Sequence, residues 1–195
     1  MTRHPMPGDY FVTSDGPQQP SLRGSLYANI IQWVTDSPYN HAGICLSGAS
    51  VVEAAPGGVR IAPIEPYLGS NTLWSTGLPL PGCPYPLDPF RASMVRDAAV
   101  SVLRTPYGWT DVLVIGLAQK KAGSWNRLHP GPLAGQPWWV RRLARTDRFI
   151  CSQLVDWAFL QAGVHLFSDG RASQFCSPGD LGRLLTPEPM DHVID

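Results

Sequence analysis

The stretch that most constrains this chain runs from residue 150 to residue 163. Leu154, Val155, Ala158, Phe159 and Ala162 recur at the spacing that gathers side chains on one face of a helix. Such a stripe needs a second layer to bury it, and Gly163 follows as a helix stop. Cys151 sits in the first turn, just ahead of the apolar face. There unpaired backbone N–H groups and the positive end of the helix dipole gather. That setting favours the thiolate, which is the nucleophilic form. Cys151 also reads as a small core residue, because free cysteines are among the most buried types.

The second layer is legible upstream. Pro7, Gly8 and Asp9 make a turn, and residues 10–13 follow as a short strand. His41 opens a strand over 41–46, residues 47–49 reverse the chain, and 50–55 return. Pro56, Gly57 and Gly58 reverse it again, and 59–64 alternate as a third strand of an antiparallel meander. Residues 72–76 add a further strand.

Helices are expected around this sheet. Ser21 caps one over 21–35, with Leu22, Leu26, Ile30, Trp33 and Val34 inward. Asp88 and Pro89 open another to about Arg104, with Phe90, Met94, Ala98, Val102 and Leu103 inward. A third covers about 109–121, and a short last one runs from Ser177 through Leu185. The expected class is α+β, in one domain over 1–195, with an antiparallel sheet packed on helices.

Composition narrows the function. Lys and Arg number 15 against 15 Asp and Glu, which argues against a nucleic-acid binder. No apolar run approaches the ~20 residues of a membrane helix. Residues 1–8 hold no apolar h-region, so no signal peptide is expected. Cytoplasm is the default expectation, with a virion or a particle exported without a signal as the alternative. Cys45, Cys83, Cys151 and Cys176 are scattered, which is neither a zinc pattern nor a dense disulfide framework. No HxxxH or carboxylate cluster offers a metal site, and no cofactor is expected.

A nucleophilic cysteine needs a base, and the base needs an orienting group. His4 and His192 lie near the termini, and His129 lies in a Gly/Pro-rich stretch. His165 falls past the far end of the Cys151 helix, roughly 20 Å along its axis. His41 alone is anchored on a core strand. Glu53 on the return strand falls opposite or diagonal to it, with neighbouring Cβ atoms ~5 Å apart. A buried glutamate there needs a partner, whereas one on a strand edge would face water. Cys45 is the rival nucleophile, but on an extended strand it lies about 13 Å from His41 and reads as core.

These pieces resemble a known family. PMPGDYFVT (5–13), SPYNHAGICL (37–46), VVEAAPGGVRIAPI (51–64), TPYGWTDVL (105–113), RFICSQLVDWAFLQAGV (148–164) and SPGDL (177–181) are similar to motifs of the circularly permuted, NlpC-type papain-fold cysteine hydrolases. That branch includes YiiX-like enzymes and is related to lecithin:retinol acyltransferase. The His-then-Glu-then-Cys order carries the likeness. The resemblance implies a papain-like fold and a thioester mechanism, with Cys151 as nucleophile, His41 as base and Glu53 orienting it. It implies an amide of a peptidoglycan stem peptide as substrate, with lipid or thioester acyl chemistry as the alternative. A binding or structural module that kept the fold, such as a virion component, is the non-enzymatic alternative. Tyr107 falls where the family often has a tyrosine near the cleft, and it reads equally as a packing residue.

Residues 122–147 match none of these motifs. They hold Trp125, Trp138 and Trp139. Seven of the chain's 15 cations lie between Lys120 and Arg148, with Asp147 as the sole acid there. An insertion this long, ending beside the nucleophile, is expected to border the cleft. Trp138, Trp139 and Arg141 would then meet an anionic, partly apolar substrate or a partner protein. The alternative is a brace, with Trp138 and Trp139 folded into the core.

Overall fold

A turn at residues 6–9, closed by Asp9 N–H to the Met6 carbonyl, feeds the first strand of the sheet. The computed structural model describes residues 4–14, 37–76, 87–108, 147–168 and 172–186. Within them the strands are β1 (Tyr10–Thr13), β2 (His41–Ser47), β3 (Ser50–Ala55), β4 (Gly58–Pro63) and β5 (Thr72–Trp74). The helices are α1 (Pro89–Ser101), α2 (Cys151–Gln161) and α3 (Pro178–Leu185). The helices expected over 21–35 and 109–121, and residues 122–146, lie outside the described residues.

The class is α+β. The five strands form one antiparallel sheet in the order β4-β3-β2-β1-β5. The meander β2-β3-β4 stands as read from the turns. β5 does not extend it: it pairs with β1 on the opposite edge, Phe11 facing Trp74. Strand periodicity shows which residues alternate, but the choice between two free edges is a long-range matter.

Alternation sends the two faces of the sheet into different surroundings. On one face Tyr10, Val12, Ala42, Ile44, Val52, Ala54 and Val59 join the main core with Leu154, Val155, Ala158 and Phe159 of α2. The Tyr10 ring meets Phe159 edge-on at 5.6 Å between centroids. α2 therefore buries the stripe read from its spacing, and it ends at Gly163, whose φ of 71° suits glycine. The Val164 N–H closes the end by donating to the Phe159 carbonyl. On the other face Phe11, Cys45, Val51, Ile64 and Tyr67 form a smaller cluster. Tyr67 comes from a single 3₁₀ turn at Glu65–Tyr67.

α1 starts as expected, with the Asp88 side chain accepting from the Arg91 N–H and proline in the first turn. Its inward face differs from the one expected. Val95 and Ala99 are buried, while Phe90 is exposed. At 3.6 residues per turn Phe90 lies about 140° around the helix from Val95, so one cannot face the sheet if the other does. Met94, Ala98, Val102 and Leu103 pack at the flank of the core.

α3 fixes the chain ahead of β2. Ser177 caps it by accepting from the Asp180 N–H, and the Asp180 carboxylate accepts from the Ser177 N–H. A Cβ added at Gly179 would stand 2.7 Å from the Ser37 Cβ, and one at Gly182 2.3 Å from the Tyr39 ring. The glycines thus let residues 37–39 lie flat on α3 and enter β2 at His41.

Candidate active site

Three elements bring the candidate residues together. His41 opens β2, Glu53 lies on β3 opposite Gly43, and Cys151 is the first residue of α2. Glu53 is therefore diagonal to His41 on the same face of the sheet, two residues along the strand. The His41 Nε2 and Glu53 Oε2 stand 2.8 Å apart, with Glu53 fully buried and His41 nearly so. Cys151 lies close enough to the same ring to act on its charge. Because Nε2 is taken by Glu53, the nitrogen left for sulfur is Nδ1.

The electrostatics follow from these contacts. Burial alone would lower the His41 pKa, but Cys151 and the hydrogen bond and charge of Glu53 raise it to about 9. Burial would likewise push the Glu53 carboxyl up, yet His41, Tyr67 and Arg60 hold it down at about 2. At neutral pH the buried pair is an imidazolium facing a carboxylate.

Glu53 has two further partners that the sequence reading did not anticipate. Arg60, directly across on β4, places Nε 2.8 Å and Nη2 2.7 Å from Oε1. The Tyr67 hydroxyl donates to Oε2. Arg60 was findable: a two-residue turn at Pro56 and Gly57 pairs residue 53 with residue 60. Tyr67 was not, since it follows a strand in a turn with no periodic pattern.

The N-terminus of α2 is held from below. The Ile150 N–H donates to Gln153 Oε1 at 3.1 Å, and Gln153 Nε2 donates to the Gln174 carbonyl. The Ser152 hydroxyl donates to the Cys176 carbonyl at 2.6 Å. The Cys151 N–H, in the first turn of the helix, has no intrahelical acceptor.

The rival thiols are placed elsewhere. Cys45 is fully buried in the smaller cluster, and burial together with the nearby Asp9 charge pushes its thiol up to about 11. Cys45, Cys151 and Cys176 are all free thiols. Tyr107 is 8% exposed and belongs to the main core, bridging Phe149 in the strand-like segment that leads into Cys151. Trp138, Trp139 and Arg141 lie outside the described residues. Among the described residues no group of three His, Cys, Asp or Glu side chains is placed to hold a metal, and no helix is long and apolar enough to cross a membrane.

No protein-family model matches this chain, and no curated protein matches it in sequence.

Proposed function

We propose that this chain is a cysteine hydrolase of the permuted, papain-like kind, working through a thioester acyl-enzyme. The observation that carries this reading is the buried His41 ring, held on one nitrogen by Glu53 and close enough to Cys151 to feel it. A nucleophile, a base and an orienting carboxylate in that order are what acyl transfer requires.

In the proposed reaction His41 already holds the proton given up by Cys151, and the sulfur attacks the substrate carbonyl carbon. The Cys151 backbone N–H, at the start of α2, donates to the oxyanion. His41 then returns the proton to the leaving amine as the C–N bond breaks, which leaves a thioester on Cys151. Water attacks the thioester, His41 accepts its proton, and the carboxylic acid departs as the thiol is restored. Glu53 holds the ring and balances its charge through both steps.

The substrate class comes from the resemblance stated above: an amide within a peptidoglycan stem peptide. The test is turnover of muropeptides and, separately, of fatty-acyl esters by the wild type and by Cys151→Ala. The reading expects muropeptide cleavage that Cys151→Ala loses. Cleavage of acyl esters alone moves the assignment to lipid acyl chemistry. Muropeptide cleavage that survives in Cys151→Ala overturns the mechanism.

A further inference from the structure

We propose that Tyr67 and Arg60 are positioning residues of this site, locking the Glu53 carboxylate so that Oε2 stays on His41 Nε2. The proposal rests on reading His41, Glu53 and Cys151 as the catalytic unit. A glutamate held by a histidine alone keeps a broad terminal torsion and can swing either oxygen away. Here each oxygen carries two donors, which uses the four acceptor positions of a carboxylate. Arg60 places Nε and Nη2 on Oε1, at 2.8 and 2.7 Å. Oε2 is thereby left to His41 Nε2 and the Tyr67 hydroxyl.

Tyr67 is itself fixed by neighbouring strands. Its ring stacks on Phe11 at 4.3 Å between centroids and 28° between planes, and its carbonyl accepts from Trp74 Nε1. Phe11 in turn lies across Gly43, where an added Cβ would stand 2.7 Å from the Phe11 ring. A tyrosine serving only as packing would have no need to aim its hydroxyl at a buried carboxylate. Burial, and then the Glu53 charge, push that hydroxyl well above its usual range, so it remains a donor. Arg60 approaches from the solvent side, its side chain 45% exposed. The charged and titratable groups around Glu53 are then His41 from β2, Arg60 from β4 and Tyr67 from the 3₁₀ turn, with Cys151 beyond His41. Donors to the charged form favour it, so removing one lets Glu53 take up a proton at higher pH.

The probe is iodoacetamide, with Cys151 alkylation followed by peptide mass spectrometry in the intact protein from about pH 3 to about pH 9. Tyr67→Phe and Arg60→Met are each expected to slow Cys151 alkylation severalfold at neutral pH, less than Glu53→Gln does, because a loosened carboxylate holds the His41 ring less well. The deficit should deepen by roughly a further twofold at about pH 3, where a Glu53 carboxyl displaced upward by one unit from about 2 is half protonated. Glu53→Gln should be slow at both. Arg60→Lys should lie between Arg60→Met and wild type, since it restores the charge without the fork. If Tyr67→Phe melts early, Arg60→Met at its half-exposed position carries the same test. Rates of both variants that match wild type from about pH 9 down to about pH 3, beside a slow Glu53→Gln, overturn the proposal and leave Tyr67 as packing. A Glu53→Gln profile that matches wild type throughout overturns the parent reading of the site, which is a different failure.

Discussion

His41 gives one nitrogen to a carboxylate and lies near a thiol, and its behaviour with pH follows from that. To protonate a leaving amine the ring must carry a proton, and its pKa stands at about 9. Turnover is therefore expected to fall as pH rises through about 9. Glu53 is among the groups that raise this value, so Glu53→Gln should move the alkaline limb of kcat to lower pH. A limb that stays in place in that variant would show that Glu53 does not act on the ring. His41→Ala is expected to cost nearly as much activity as Cys151→Ala, more than about a thousandfold, because members of one catalytic unit are not additive. Glu53→Gln should cost less, since an amide still orients the ring. Much of this was legible in the sequence. A lone histidine on a core strand, a glutamate in an apolar return strand and a cysteine before an apolar helix face each demanded a partner. Tyr67 was illegible, because a hydroxyl delivered by a turn depends on where that turn lands against Phe11 and Gly43.

At the scale of elements, α3 shows how a distant segment sets the site. Its glycines touch Ser37 and Tyr39, and those residues lead directly into His41. Gly182→Ala would drive a methyl into the Tyr39 ring, 2.3 Å away. Overpacking of this kind costs about 1–3 kcal/mol, so the melting temperature should fall. Gly48→Ala, with nothing within 4 Å, is the matched control and should be near neutral. An equal effect of the two would contradict the docking of residues 37–39 on α3. Local signals placed most elements well. The bounds of β1 and β3 and the start of α2 coincide with the expected ones, because turns, caps and periodicity mark them. β4 begins one residue earlier than expected, at Gly58, since the reversal needs only Pro56 and Gly57. The edge chosen by β5 and the rotation of α1 were not readable, because both depend on contacts distant in sequence.

For the molecule as a whole, the buried His41–Glu53 pair ties stability to pH. Glu53 is lowered from 4.5 to about 2, so its contribution is full above 4.5 and is lost as pH falls through about 2. His41 is raised from 6.5 to about 9, so its contribution is full below 6.5 and is lost as pH rises through about 9. Urea unfolding across this range should show wild-type stability declining between 6.5 and 9, and a shallower decline in Glu53→Gln. The same alkaline decline in both proteins would mean that the pair is not the source. The sheet and its helices bring this pair close to Cys151, although Glu53 and Cys151 lie 98 positions apart in the chain.

The central claim is that Cys151 and His41 act as one unit, and the alkylation rates of all four cysteines with iodoacetamide near neutral pH test it most directly. The account predicts that Cys151 reacts first, that Cys45 trails it, and that His41→Ala slows Cys151 by about tenfold or more. Cys151 reacting no faster than Cys45, or at an unchanged rate in His41→Ala, would contradict it.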